Sequence, residues 1–248
     1  MNTKLAIAFT GGIDSTVLAY WLPHIWRSLH GSPPDELRLM VADFEQSTFI
    51  KSQDLAVLHG ERLREQHAAK SVVYHRVPTD MWKHGNLQGL WEYGFVPDKP
   101  NPHRDDYENP TRPNAESFVE GRNNYIFTRL MIECSQLNIP VLYTGYQYES
   151  AEWDNLDSYR HRVCDAGPNF TDRMNLMQEV GFQRRVRIEN PFITFRMGKA
   201  DIIKLASQYA INVQEETYSC HYYPECGKCE NCQVKEDVMK ELRGESRD

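Results

Sequence analysis

The sequence lacks an apolar run long enough to cross a membrane, and basic residues are in the minority. Lys and Arg number 28 against 35 Asp and Glu, so the formal net charge is -7. A low basic content disfavours a protein that mainly grips the phosphate backbone of nucleic acid, and it favours small-molecule substrates. Residues 1–9 lack the basic flank and cleavage site of a secretory signal. We therefore expect a cytoplasmic protein with no membrane partner.

The chain also lacks internal repeats and the G-x-x-x-x-G-K-[ST] pattern of kinase-like nucleotide sites. Strand candidates are 4–9, 37–42, 71–77 and 140–144, and the helical patterns between them include 52–65 and 121–137. Alternating strands and helices are typical of a parallel sheet covered on both faces. The sequence thus predicts an α/β fold, Rossmann-like and doubly wound, with a mainly parallel sheet.

A glycine-rich segment, 10–16 (TGGIDST), follows the first predicted strand and precedes a helix. Backbone N–H groups and the helix dipole favour phosphate at such a position, and paired glycines let an oxyanion approach closely. Ser15 and Thr16 can cap the helix and add hydroxyl donors. Asp14 would repel phosphate unless it fixes the loop or helps to hold Mg²⁺. On the residues alone, a phosphate site and an ordinary strand-to-helix turn both remain open.

Four of the six cysteines are clustered with the spacing C-x5-C-x2-C-x2-C; they are Cys220, Cys226, Cys229 and Cys232. Four thiolates can surround Zn²⁺ tetrahedrally, and such a closed site is structural because no coordination position is open. An iron–sulfur cluster and a redox dithiol are the alternatives. Of the other two cysteines, Cys134 fits a helical core, and Cys164 could line the active site.

These patterns divide the chain into two predicted units. Residues 1–212 would form the α/β domain, and 213–248 a zinc-binding C-terminal segment. The first unit is interrupted at about 78–118 by a proline-rich irregular insertion. A lid or binding loop and a disordered segment are both open readings of that insertion.

The segment 10–16 resembles the SGGxDS pyrophosphate loop of the PP-loop ATPases, with Thr10 in place of the first serine. Combined with the cysteine cluster, it is similar to the QueC family, the 7-cyano-7-deazaguanine synthases. Further stretches that resemble family motifs are 43–46 (DFEQ), 121–124 (GRNN), 143–145 (YTG), 190–192 (NPF), 198–203 (GKADII) and 217–220 (TYSC).

The resemblance implies cleavage of ATP between its α- and β-phosphates, with Mg²⁺, and a set of site residues. Nucleotide binding is assigned to Thr10, Gly11, Gly12, Asp14, Ser15, Thr16, Asp43 and Gly145. Catalysis is assigned to Asp14, Ser15, Arg122 and Lys199, and substrate contacts to Gln46, Asn123, Cys164, Asp165, Tyr218 and Ser219. Arg122 could clamp phosphate or carboxylate, and Lys199 could place a charge at the pyrophosphate. Exposed surface charges are the alternative reading of both residues.

The sequence departs from the family at two places. The family's Y-P-D-C-R segment corresponds to 161–167 (HRVCDAG), which keeps the cysteine and loses the arginine. The family's arginine after the last cysteine corresponds to Lys235. Both departures bear on the identity of the second substrate and on the end product.

The implied reaction is ATP-dependent carbon–nitrogen ligation. ATP would adenylate the carboxylate of 7-carboxy-7-deazaguanine, ammonia would give the amide, and a second activation would give the nitrile. A variant that stops at the amide, or joins the deazaguanine to an amine of a protein or nucleic acid in a modification or antiviral-defence system, is the first alternative. A tRNA-thiolating enzyme and a zinc-containing binding module without catalysis are the others. The family likeness also implies a homodimer.

Overall fold

A computed structural model describes residues 3–43, 49–79, 122–148, 167–181, 186–220, 225, 227 and 230–243. The strands are β1 (Lys4–Ala8), β2 (Glu36–Asp43), β3 (Ser71–Pro78), β4 (Val141–Tyr143) and β5 (Arg187–Glu189). They form one sheet in the order β3-β2-β1-β4-β5, and every pairing between neighbours is parallel. The prediction of a Rossmann-like α/β fold with a parallel sheet is confirmed.

Helices connect the strands. They are α1 (Ile13–His30), α2 (Phe49–Glu65), α3 (Arg122–Gln136), α4 (Pro168–Gly181), α5 (Pro191–Thr194), α6 (Lys199–Gln208) and α7 (Glu230–Leu242). In the part of the chain that the structure describes, none of these helices combines the length and the apolar character needed to cross a membrane.

Each face of the sheet is buried under its own hydrophobic cluster, because side chains of successive strand residues point to opposite faces. In β1, Leu5 and Ile7 belong to the cluster under α1, α2 and α6, whereas Ala6 belongs to the cluster under α3 and α4. Both faces of a strand are therefore apolar, which explains why β1 and β2 read as short continuous apolar runs in the sequence.

The strand order reverses direction between β1 and β4. From β1 the chain adds β2 and β3 on one side and then β4 and β5 on the other. In open parallel sheets, ligands bind outside the carboxyl ends of the strands at this switch point. A ligand site is therefore expected next to the residues that follow β1 and β4.

The C-terminal segment shares the main core. Val213, Tyr218, Cys220 and Cys232 belong to the same buried cluster as α1 and α2. The division at residue 212 remains a prediction, and most of the 78–118 insertion lies outside the described residues.

Candidate active site

A cleft of about 470 Å³ lies at the switch point between β1 and β4. It is bordered by the end of β1, the starts of α1, α3 and α6, the loop after β4, segment 218–220 and one face of α7. Its polar lining includes Thr10, Asp14, Ser15, Asn123, Thr144, Tyr146, Gln147, Lys199, Tyr218, Ser219 and Lys235. Side chains predicted separately for ATP, catalysis and the second substrate therefore meet in one cavity.

The glycine loop between β1 and α1 is held in shape by its own hydroxyl groups. Ser15 Oγ accepts the Thr10 N–H at 3.1 Å and donates to the Gly12 carbonyl at 3.2 Å, and Thr10 Oγ1 accepts the Gly12 N–H at 3.2 Å. Ser52 Oγ of α2 donates to the Thr10 carbonyl at 2.7 Å. First-turn amide groups of a helix have no intrahelical acceptor, so the start of α1 presents donors suited to an anion.

Gly11 is required by both conformation and space. Its φ of +75° lies in the left-handed region, and an added Cβ would come within 3.0 Å of Leu55 Cδ1 and 3.3 Å of Ser52 Cα. Thr16 is fully buried in α1 and is not among the residues that line the cleft, so its contact with the nucleotide stays a prediction.

Lys199 at the start of α6 forms an ion pair with Asp14 at the start of α1. The ammonium lies 2.6 and 2.8 Å from the two carboxylate oxygens of Asp14. The Asp201 carboxylate accepts the Gly198 N–H at 3.2 Å and so caps the turn that places Lys199. The two predicted catalytic side chains thus contact each other on the wall of the cleft.

Gly145, in the loop after β4, packs directly against the start of α1. An added Cβ there would lie 2.9 Å from both the Asp14 carbonyl carbon and the Ser15 nitrogen. Thr144, beside it, donates its N–H to the Glu189 carbonyl at 2.9 Å and its hydroxyl to Asn190. This close approach of backbone to backbone positions the glycine loop from the β4 side.

Segment 217–220 also contacts the glycine loop. The Tyr218 N–H donates to the Gly11 carbonyl at 2.7 Å. Ser219 Oγ lies 3.7 Å from the point where a Cβ on Gly12 would stand. The two predicted substrate contacts, Tyr218 and Ser219, are therefore adjacent to the predicted phosphate site.

A buried polar network that the sequence did not reveal holds this segment in place. His59 of α2 is fully buried, and its Nε2 lies 2.8 Å from the Glu216 carbonyl, which can only accept. Nε2 therefore carries the proton, and the Tyr20 hydroxyl donates to Nδ1 over 2.9 Å. Arg62 binds both carboxylate oxygens of Glu216, with the Nη1–Oε2 distance at 2.8 Å.

The network changes the pKa values of its members in the directions expected from their contacts. The Arg62 guanidinium, together with the Asn212 N–H, lowers the pKa of Glu216 to about 2 against partial burial. Burial lowers the pKa of His59 and raises the pKa of Tyr20 to about 12. Near neutral pH the network thus contains a neutral histidine and a charged Arg62–Glu216 pair.

We expect acid to destabilise the fold through these two groups. Burial holds the folded pKa of His59 below its ordinary value of 6.5, so the unfolded state binds the proton first, and the free energy of unfolding should fall as pH drops below 6.5. Protonation of Glu216 should lower the free energy of unfolding further between pH 4.5 and about pH 2. Denaturant unfolding at pH 7.5 and 5.5 should show a smaller pH effect in His59→Gln than in the wild type. Equal pH effects in both would contradict the assignment to His59.

Asp43 ends β2 and is buried, with an exposed fraction of 3%. Its carboxylate accepts the Arg76 Nε–H at 2.7 Å, and the Arg76 guanidinium stacks 5.3 Å from the centre of the Phe49 ring. Its neighbour Ala42 lines the cleft. The structure thus gives Asp43 a contact that anchors the end of β2, and its predicted role in nucleotide binding stays a prediction.

Asn123 lines the cleft near the start of α3. Arg122 begins that helix, and the position of its side chain is not described. Gln46, Cys164 and Asp165 lie outside the described residues, as do Cys226 and Cys229. Cys220 and Cys232, the two described members of the cysteine cluster, are both buried.

No group of three or more metal-binding side chains occurs among the described residues, which include only two of the four predicted ligands. The zinc site therefore stays a prediction.

Comparison with known proteins gives the family. Residues 57–243 match the family described as queuosine biosynthesis protein QueC. The chain belongs to this family. A stretch of 61 residues is 36% identical to the 7-cyano-7-deazaguanine synthase of Sulfurihydrogenibium sp. (strain YO3AOP1), and it covers 24% of this chain and 26% of that relative. The matched stretch thus covers about a quarter of that relative's length.

Among solved structures, the fold is similar to the U34-tRNA thiolase NcsA from Methanococcus maripaludis with its [4Fe-4S] cluster. The TM-score is 0.52 with 15% sequence identity, over 98% of this chain and 67% of that one. At this identity the likeness supports the fold alone. The QueC match begins after the glycine loop, so the geometry of that loop is an independent observation.

Proposed function

We propose that this QueC-family chain is an ATP-dependent carbon–nitrogen ligase that forms AMP and pyrophosphate. It adenylates the carboxylate of 7-carboxy-7-deazaguanine and passes the acyl group to ammonia, giving the amide and then the nitrile 7-cyano-7-deazaguanine. The observation that carries the proposal is the cleft at the switch point. It brings the glycine loop, the Asp14–Lys199 pair and segment 218–220 to one cavity.

The loop suits the triphosphate of ATP. The Ser15 hydroxyl bonds to backbone groups of the loop and not to the first-turn amides of α1. Those amides can therefore donate to phosphate oxygens. Among the described residues that line the cleft, Asp14 carries a carboxylate. Carboxylates are suited to Mg²⁺, which neutralises phosphate charge when bound. Lys199 would then exchange its contact with Asp14 for the phosphates. Adenylation depends on such positioning and charge stabilisation more than on covalent help.

The second substrate fits beside the phosphate site. Tyr218 offers an aromatic ring, and Ser219 a hydroxyl, on a segment tied to the glycine loop by the Tyr218 N–H. A planar heterocycle held there would have its carboxylate close to the α-phosphate, as an adenylation requires.

The test is a product assay. The protein is incubated with MgATP, 7-carboxy-7-deazaguanine and ammonium, and AMP, pyrophosphate and deazaguanine products are followed by mass spectrometry. Pyrophosphate release that depends on the acid supports the proposal. The amide as the final product, or a conjugate formed only with an added protein or nucleic acid, would favour the alternative QueC-like reactions. Absence of both AMP and pyrophosphate release would overturn every ligase version.

We also propose that Cys220, Cys226, Cys229 and Cys232 hold a structural Zn²⁺. Metal analysis should find about one zinc ion per chain, since a four-thiolate site binds Zn²⁺ tightly at neutral pH. Chelation under denaturing conditions, or Cys232→Ser, should release the zinc and lower the unfolding temperature. Cys134→Ser is the matched control for zinc content, because Cys134 lies on α3 in the hydrophobic cluster on the other face of the sheet, and its replacement should leave the metal bound. Iron and acid-labile sulfide instead of zinc would contradict the assignment.

A further inference from the structure

One stripe of α2 contacts both the glycine loop and the segment that carries Tyr218. Its four residues are spaced three and four apart, so they lie along one side of the helix; they are Ser52, Leu55, His59 and Arg62. The first two contact the glycine loop. Ser52 Oγ donates to the Thr10 carbonyl at 2.7 Å, and Leu55 Cδ1 lies 3.0 Å from the point where a Cβ on Gly11 would stand.

The other two residues of the stripe bind Glu216. His59 Nε2 donates to the Glu216 carbonyl at 2.8 Å, and Arg62 reaches the two carboxylate oxygens at 2.5 and 2.8 Å. Glu216 is also tied into its own turn, because its carboxylate accepts the Asn212 N–H at 2.9 Å and its N–H donates to the Asn212 carbonyl at 2.7 Å. Main chain and side chain of Glu216 are therefore both held against α2.

A further bond closes these contacts into a ring. Two residues after Glu216, the Tyr218 N–H donates to the Gly11 carbonyl at 2.7 Å, and Gly11 in turn packs on α2. From residue 52 to residue 62 the helix rises about 15 Å. A rigid helix thus fixes the spacing between the glycine loop and the segment 212–220.

The Arg62–Glu216 pair lies outside the cleft and is well suited to hold this spacing. Neither residue, nor His59, is among the described residues that line the cleft. The side chains of Arg62 and Glu216 are 28% and 19% exposed, and the guanidinium contacts the carboxylate through two nitrogens. Two parallel bonds between planar groups fix direction as well as distance, which a single contact does not.

We propose that Arg62 and Glu216 are positioning residues that set where the second substrate lies relative to ATP. This inference rests on the proposed function, in which Tyr218 and Ser219 hold the deazaguanine and the glycine loop holds the triphosphate. Attack on phosphorus requires the carboxylate and the α-phosphate at about 3–3.5 Å, and a misplacement of about 1 Å can cost about 10²-fold in rate. The α2 stripe keeps the two binding elements at the distance that this attack needs.

Kinetics of acid-dependent pyrophosphate release and calorimetric titration with MgATP test the inference on the full chain. Arg62→Met should raise the KM for 7-carboxy-7-deazaguanine and lower kcat, each by about 10-fold, because the segment 212–220 loses its anchor on α2. The Kd for MgATP should stay within about twofold of the wild type, since Ser52 and Leu55 still hold the glycine loop.

Two milder variants keep the test decisive if Arg62→Met folds poorly. Glu216→Gln keeps the size of the side chain and an acceptor for the Asn212 N–H, and it should show the same pattern as Arg62→Met with smaller changes. Arg62→Lys keeps the charge without the planar fork, so it should recover part of the lost kcat.

Arg64→Met is the matched control on the same helix. Arg64 is exposed and donates to the Val72 carbonyl at 3.2 Å, so its loss weakens a contact with β3 rather than with the segment 212–220. Its KM and kcat should stay within about twofold of the wild type, as for most exposed substitutions. A merely structural Arg62 would lower the folded fraction, and hence the apparent kcat, without changing the KM for the acid.

An unchanged KM for the acid in both Arg62→Met and Glu216→Gln would overturn the inference alone. So would a loss of MgATP affinity as large as the rise in KM, because the glycine loop itself would then have moved. A wild type that releases no pyrophosphate with MgATP and the acid would overturn the proposed function, and the inference with it.

Discussion

Lys199→Met is expected to lower the rate of pyrophosphate formation by about 10²- to 10³-fold, the usual effect of removing a group that stabilises transition-state charge. The substitution removes the cation beside the proposed phosphate site and leaves the Asp14 carboxylate without its ammonium partner at 2.6 Å. Initial rates of pyrophosphate release with saturating MgATP and 7-carboxy-7-deazaguanine would measure the effect.

Lys204→Met is the matched control, because Lys204 lies on the same helix, α6, and is exposed to solvent. Its rate should remain within about twofold of the wild type, as for most exposed substitutions. Lys199→Arg should recover part of the lost rate, since it keeps the charge with a different shape. Equal rates in Lys199→Met and Lys204→Met would contradict a role for Lys199 at the phosphates.

Gly145→Ala is expected to weaken ATP binding about 10- to 100-fold, which corresponds to the 1–3 kcal/mol typical of overpacking. The new methyl group would lie 2.9 Å from two backbone atoms of Asp14 and Ser15. Neither backbone atom can rotate away as a side chain would, so the start of α1 must shift and its amides leave their positions. Calorimetric titration with MgATP would measure the affinity.

Gly60→Ala is the control for a glycine replaced where space allows. Gly60 lies inside α2, and an added Cβ would have its nearest neighbours at 3.9 Å. Alanine there should leave ATP affinity unchanged and stabilise the helix by about 0.5–1 kcal/mol. Unchanged ATP affinity in Gly145→Ala would show that the loop tolerates the shift, against the expectation.

The parts of the site that could be predicted are those formed by consecutive residues. The glycine loop follows a strand and precedes a helix, so segment 10–16 identified both its own structure and its position at the carboxyl end of β1. The four strands predicted from apolar runs all belong to the sheet. Local patterns suffice here because strand, turn and helix signals act over a few residues.

The contacts that organise the site could not be read in the same way. Lys199 is 185 residues from Asp14, and Glu216 is 154 residues from Arg62. His59 and Arg62 gave no signal beyond polar residues in a helical pattern. A polar residue at a position that faces the core, as with His59, is the weak sign that could have indicated the network, but it does not name the partner.

The order of residues along the chain predicts the α/β fold, the position of the glycine loop and, through its motifs, the likeness to the QueC family. The contacts of the folded chain show in addition that Asp14 pairs with Lys199, that Gly145 is needed for space rather than conformation, and that Lys235 lines the cleft. The reason is physical: secondary structure follows from neighbours along the chain, whereas burial, ion pairs and the shape of a cavity depend on segments that folding brings together from far apart.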